Sequence, residues 1–243
     1  MNQSPRELGP LRKGERIGGL IYLPMFLIGT QYLAVLIVLR FRPNLSEDEL
    51  LVPVNLVFTG LNAAALCLIF HRYLAEQFRR IQLRGWSIFT DLLLGFLTCY
   101  GLSILASYAV QLLQILFGTE YLNANQEAVN TMLFRSPAAA ILAACVLAPI
   151  SEELLFRGLI FCGLYRRSRK WAYAVSMLSF AFVHVMQSMF SQPIGVTLTT
   201  FSVYLPHGFA LAWTYERSGS IWSAIFLHAS LNTLSFILLC AIR

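Results

Sequence analysis

Seven apolar runs dominate the pattern of hydrophobic and polar positions along the chain. They cover residues 17–39, 51–70, 91–117, 137–159, 171–190, 194–215 and 220–241. A helix needs about 20 mostly apolar residues to cross about 30 Å of hydrocarbon, so each run predicts a membrane-spanning helix. The pattern therefore predicts an all-α fold, a polytopic transmembrane bundle of about seven spans, with six to eight compatible with the boundaries.

The composition supports a membrane protein and excludes most other classes. Hydrophobic residues make up 57% of the 243 residues, charged residues only 12%, and the mean hydropathy is +0.65. Soluble proteins carry about 25% charged residues. The five cysteines are scattered through apolar runs, which predicts small buried side chains and neither a disulfide framework nor a zinc cluster. We expect one membrane domain without an attached soluble domain.

The distribution of positive charge predicts the orientation of the bundle. Placing the N-terminus in the cytoplasm puts fourteen of the 18 Lys and Arg residues on the inner side. The net charge of +6 is then explained by topology, and nucleic acid is not an expected partner. The run 17–39 is too long for a signal-peptide core, which predicts an uncleaved first span. We therefore expect a multi-pass protein of a bacterial inner or cell membrane, with the lipid bilayer as its partner.

Few ionisable residues lie within the apolar runs, and an intramembrane charge costs at least about 2.5–3.5 kcal/mol. They are Asp91, Glu152, Glu153, Arg157, His184, His207 and His228.

The first polar cluster is Glu152, Glu153 and Arg157. Glu153 and Arg157 are four residues apart, the favourable order for a helical ion pair, whereas Glu152 is turned about 100° away. A buried ion pair with a second glutamate reaching the interface is the alternative without function. Pro149 removes a backbone hydrogen bond and should loosen the helix one turn earlier.

Two further polar pairs occur at helical spacing. Phe180 and His184 share one helix face, as do His228 and Asn232. A lone histidine is often a core residue, and polar pairs can simply join helices. His207, which follows Pro206, is expected to serve packing or a helix kink, with lining of the cavity as the alternative.

The three clusters are expected to converge in the inner half of the bilayer. Counting 1.5 Å per residue from the inner ends of the spans places Glu152 about 10 Å deep and His228 about 12 Å deep, with His184 at about 15–20 Å. A carboxylate can activate water as a general base, and neutral donors can hold the developing oxyanion. This arrangement predicts hydrolysis of a peptide bond near the inner interface.

Taken in order, the three motifs resemble those of the CPBP intramembrane protease family, also called Abi or CAAX-protease and bacteriocin-processing proteins. The resemblance covers about residues 137–236 and includes the turn from Tyr215 to Trp222. It implies a catalytic core at 137–243, whereas residues 1–136 hold spans without a motif. It also implies roles: Glu152 activates water with help from His184, and His228 and Asn232 stabilise the oxyanion. Glu153 and Arg157 would hold the site together.

No cofactor is expected from this pattern, but a divalent metal such as zinc is an alternative. The chain lacks H-E-x-x-H, yet Glu152, His184 and His228 could form the two-histidine, one-glutamate set found in zinc hydrolases.

Two other functions are alternatives to an endopeptidase acting on a peptide or membrane-protein segment. In a small transporter or proton-coupled carrier, the glutamates and histidines would relay protons, although the sequence shows no inverted repeat. A non-catalytic membrane scaffold related to the family is the second alternative, but all four motif residues expected to be catalytic are present.

Overall fold

A computed structural model describes residues 8–118, 123–186 and 189–242 of the chain. Within that part the chain folds into nine helices and no strand. In chain order they are α1 (Lys13–Phe41), α2 (Glu47–Ile69), α3 (His71–Gln82), α4 (Ser87–Phe117), α5 (Ala124–Arg135), α6 (Pro137–Tyr165), α7 (Arg169–Val185), α8 (Ile194–Ser218) and α9 (Ile221–Ala241).

Six of these helices are long and apolar enough to cross a membrane: α1, α2, α4, α6, α8 and α9. The predicted span at 171–190 corresponds to α7, which has 17 residues. Its length is about 25 Å, less than the hydrocarbon thickness of about 30 Å. Residues 187 and 188 of that predicted span lie outside the described residues. The all-helical polytopic fold is confirmed, with six spans by length and composition in place of seven.

Helices α6 and α8 form the centre of the bundle. Half of the most apolar window of each is buried inside the protein, compared with 22% for α1 and α2 and 17% for α4. Helix α6 packs against α2, α7 and α9, and α8 packs against α4 and α7. Gly208 allows the close approach of α8 to α7, since a Cβ there would meet the Met177 backbone at 3.1 Å. The first polar motif therefore lies on one of the two most buried spans, and His207 lies on the other.

The basic segments meet at one end of the bundle, which we call the basic end and define as residues 8–16, 71–91, 162–170 and 216–222. The Glu15 carboxylate accepts a bond from the Tyr73 backbone N–H at 2.8 Å. Arg217 Nε lies 2.9 Å from Asp91, which also pairs with Arg84. The Trp222 side chain donates to the Leu74 carbonyl at 3.1 Å. The predicted grouping of the basic loop segments on one side is confirmed, but Arg157, which was counted among the inner basic residues, is instead fully buried within α6.

The opposite end, which we call the distal end, contains the last turns of α1 and α7, the first turns of α2 and α6, and helix α5. The start of α2 is tied to the end of α5 by an ion pair between Asp48 and Arg135, with oxygen and nitrogen 3.5 Å apart. Helix α2 begins at a reciprocal capping box between Ser46 and Glu49, in which the glutamate accepts the Ser46 backbone N–H at 2.9 Å.

Candidate active site

The centre of the site is an ion pair that is completely buried. Arg157 Nη1 lies 3.0 Å from Glu153 Oε1, and both side chains have 0% exposure. Arg157 Nη2 donates to the Gly208 carbonyl at 2.8 Å, and its guanidinium lies 4.6 Å from the centre of the Phe180 ring. The predicted i, i+4 pair is therefore present, and it ties α6 to both α7 and α8.

Glu153 also makes a contact that the sequence did not predict, with His228. Its Oε1 atom lies 2.9 Å from His228 Nδ1. With Glu153 ionised beside Arg157, the carboxylate accepts and Nδ1 carries the hydrogen. The Nε2 atom of His228 then points away from the ion pair, toward Glu152.

Glu152 faces both histidines of the predicted site. Its Oε2 atom lies 3.8 Å from His184 Nε2 and 4.0 Å from His228 Nε2. This oxygen is buried and has no hydrogen-bond partner among the described residues. A buried carboxylate oxygen without a partner is costly unless a ligand or water bonds to it. The sequence-predicted residues on three different helices therefore meet around one carboxylate.

His184 is held by two contacts on α7 and α8. Its Nδ1 atom lies 2.8 Å from the Phe180 carbonyl, which can only accept, so the hydrogen is on Nδ1. Its ring stacks on the Tyr204 ring, with centroids 4.1 Å apart. The Tyr204 hydroxyl accepts bonds from Asn123 at 3.2 Å and Asn125 at 3.0 Å, which links His184 indirectly to the start of α5.

Asn232 lies one turn beyond His228 and bonds to a carbonyl that the irregular part of α6 leaves unsatisfied. Residues Ile141–Leu147 are π-helical, and the Ala148 N–H donates to Ala143. Pro149 has no N–H, so the Ala144 carbonyl lacks a helical donor, and Asn232 Nδ2 donates to it at 2.7 Å. The predicted loosening of the helix before Pro149 is confirmed. The second hydrogen of the Asn232 amide has no bond to the described residues.

The polar residues line a cavity of about 290 Å³ between α2, α5, α6, α7, α8 and α9. Glu152, His184, His228 and Asn232 all face it, and His207 does too. A second cavity of about 310 Å³, between α1, α2, α5 and α7, shares Glu152 and His184 with the first. The two spaces therefore adjoin at the proposed general base.

The distances around Glu152 are longer than those of a tetrahedral zinc site. Ligands about 2.0–2.1 Å from a tetrahedral zinc ion are about 3.3–3.4 Å apart. The Glu152 oxygen is 3.8 and 4.0 Å from the two imidazole nitrogens. Across the described ranges, no three His, Cys, Asp or Glu side chains are grouped to hold a metal.

Several cavity residues were not predicted because they are uncharged. Tyr204, Asn55 and Asn125 line the first cavity, and Gln31 lines the second. Asn55 and Asn125 do not stand one helical turn from an ionisable residue, as Asn232 does, although Asn55 interrupts an apolar run as Glu152 does. Tyr204 has no such signal, since tyrosine is common in membrane helices. His207 lies on the cavity wall, where its Nδ1 atom is 3.3 Å from the Val203 carbonyl.

Helix α6 is longer than the sequence predicts. Helix α6 continues to Tyr165, six residues beyond the predicted end, because Phe161 and Leu164 pack in the core. Glu152 is therefore 13 residues, about 20 Å along the helix, from the last residue of α6. The site lies in the middle of α6.

Comparison with known proteins agrees with the motifs. Residues 134–234 match the family model described as type II CAAX prenyl endopeptidase Rce1-like. The chain is 28% identical over 117 residues to the protein named "Putative membrane peptidase YdiL" of Bacillus subtilis (strain 168), covering 48% of this chain and 43% of that protein. It is 31% identical over 87 residues to "UPF0177 protein YxdF" of Lactococcus lactis subsp. lactis (strain IL1403), covering 36% of this chain and 42% of that protein.

The matches confirm the predicted family resemblance for the motif-bearing segment. Each alignment spans less than half the length of the curated relative. No solved structure matches the chain. Together with the six apolar helices, the comparisons identify an integral, multi-pass membrane protein.

Proposed function

We propose that the protein is an intramembrane endopeptidase that uses a glutamate-activated water to hydrolyse a peptide bond in a peptide or membrane-protein substrate. One observation carries this proposal. The Glu152 carboxylate, buried and without a partner among the described residues, faces the Nε2 atoms of His184 and His228 in a cavity. The peptidase family match and the B. subtilis relative support the same reaction class.

Glu152 and His184 would hold the attacking water. Both the carboxylate oxygen and His184 Nε2 are acceptors when Nδ1 carries the hydrogen, so one water can donate to both across the 3.8 Å gap. Glu152 takes one proton as the water oxygen bonds to the scissile carbonyl carbon. It then delivers that proton to the leaving nitrogen as the C–N bond breaks, which releases an acid and an amine.

His228 and Asn232 would stabilise the oxyanion that forms at the carbonyl oxygen. Asn232 has a second amide hydrogen, whereas His228 can donate from Nε2 only as an imidazolium, because Nδ1–H already bonds to Glu153. A protonated His228 also makes the net charge of the cluster zero, since two carboxylates then face two cations, Arg157 and His228. In this proposal Asn232 is a neutral oxyanion donor, and His228 is a charged one.

A reconstituted assay distinguishes an endopeptidase from a transporter and from a non-catalytic scaffold. Purified protein in liposomes is incubated with a peptide mixture, and new termini are identified by mass spectrometry. Glu152→Ala, His184→Ala and His228→Ala should each abolish cleavage, whereas His71→Ala, an exposed histidine outside the cavity, should not. Full activity in all three variants would refute the assigned site. Substrate flux without cleavage would favour a carrier.

A further inference from the structure

The cavity that contains Glu152 extends toward one end of the bundle only. On the helices that run between the two ends, the lining residue nearest the basic end is His228, seven residues after Ile221. In the other direction the lining reaches Leu51, four residues after the start of α2, and Met186, which follows the last residue of α7. Asn125 of the lining is exposed.

The basic end is closed by a packed core. Leu154, Phe161 and Tyr215 are 0% exposed, and Tyr73 is 2% exposed. The hydroxyls of Tyr73 and Tyr215 bond to each other at 2.7 Å. These side chains belong to one continuous apolar cluster that joins α3, α6 and α8 between the ion pair and the basic end. Close-packed side chains of this size leave no passage for a peptide.

The charges of the two ends differ strongly. Among the described residues, twelve Lys and Arg lie at the basic end, and three lie at the distal end: Arg40, Arg42 and Arg135. The distal end also carries Glu47, Asp48, Glu49 and Glu127. Short loops rich in Lys and Arg stay in the cytoplasm. The positive charge therefore marks the basic end as cytoplasmic.

We propose that the active-site cavity is reached from the extracytoplasmic side of the membrane and is closed to the cytoplasm. If the proposed endopeptidase function holds, the substrate is a peptide or a membrane-protein segment presented on the outer side. This replaces the expectation of cleavage near the inner interface.

Thiol labelling tests this access without depending on activity. The exposed native cysteine is removed by Cys240→Ala, since the other four are buried or half-buried. On that background, Ala124→Cys places a thiol at the distal cavity wall, Leu51→Cys places a second one on α2, and Arg166→Cys is the control at the basic end. A membrane-impermeant maleimide is applied to intact cells and to inverted membrane vesicles.

The expected result is labelling of Ala124→Cys and Leu51→Cys in intact cells, with Arg166→Cys labelled only in inverted vesicles. The opposite pattern would overturn the proposal. In a cleavage assay, modified Ala124→Cys should lose activity, whereas modified Arg166→Cys should keep it. If the labelling pattern holds but no peptide is cleaved, the endopeptidase assignment fails while the outward opening of the cavity stands.

Discussion

The Glu153 carboxylate accepts a hydrogen bond from His228 Nδ1 at 2.9 Å while it is paired with Arg157 at 3.0 Å. The buried Glu153 oxygen therefore orients the His228 imidazole, which is a candidate catalytic group. It also links that imidazole to the Arg157 cation, which lies on the same helix as Glu153. Polar partners that orient a functional histidine fix its tautomer and the direction of its second nitrogen. In the proposed mechanism Glu153 is a positioning residue, whereas Glu152 takes the proton from the attacking water.

Glu153→Gln tests this positioning role. The glutamine keeps the shape but loses the charge that would stabilise a protonated His228, so we expect kcat to fall about 10- to 100-fold with little change in KM. The pH–rate profile should also change, because His228 would lose its anionic partner. Glu76→Gln, on the surface beside Arg80, serves as the matched control. An unchanged profile and kcat would contradict the role.

Arg157→Met tests the ion pair as a structural element. Removing one partner leaves the Glu153 charge buried and compensated only by His228, which costs about 3–5 kcal/mol in comparable pairs. We expect a clear decrease in the thermal unfolding temperature of the detergent-solubilised protein. The double variant Glu153→Gln, Arg157→Met should recover part of that loss. Additive losses in the double variant would show that the two side chains are not coupled.

Two substitutions of Tyr204 test whether its stacked ring positions His184. Tyr204→Phe keeps the ring at 4.1 Å from the imidazole but removes the bonds to Asn123 and Asn125, whereas Tyr204→Leu removes the stacked ring. Aromatic pairs contribute about 0.5–1.5 kcal/mol, so the leucine variant should lose about 2- to 10-fold in kcat. The phenylalanine variant should stay close to the parent. Equal losses in both variants would instead assign the effect to the hydroxyl.

Chelation tests whether the reaction proceeds without a metal ion. In the proposed reaction Glu152 and His184 activate water themselves, so dialysis against a strong chelator should leave kcat unchanged. The measurement is peptide cleavage before and after dialysis, with metal content determined by mass spectrometry. Loss of activity that zinc restores would contradict the glutamate mechanism and favour a rearranged set of Glu152, His184 and His228.

The sequence predicts the parts of this site that follow from helical spacing and from the free-energy cost of placing a charge within the membrane. Glu152 and Arg157 stand out because ionisable groups are rare within apolar runs, and the Glu153–Arg157 pair follows from four-residue spacing. The Glu153–His228 bond joins residues 75 positions apart, so no local pattern contains it. Neither does the stacking of Tyr204 on His184, which depends on how α7 packs against α8.

The direction in which the cavity opens also lies outside a sequence-based prediction. Hydrophobic periodicity places Glu152 within a span, but both ends of α6 are apolar. Which end is packed closed depends on the size and shape of side chains from other helices, such as Tyr73 and Tyr215. The extension of α6 beyond its predicted end has the same origin, since Phe161 and Leu164 pack in the core.

The central claim is that Glu152 acts as the general base, and Glu152→Gln tests it most directly. The variant keeps the side-chain volume and can still hold water, but it cannot accept the proton. General-base catalysis contributes about 10²- to 10⁴-fold. We predict a loss of kcat of that size at saturating peptide, with the folded state intact and Glu76→Gln at the parental rate. Cleavage by Glu152→Gln at the rate of the parent would contradict the account.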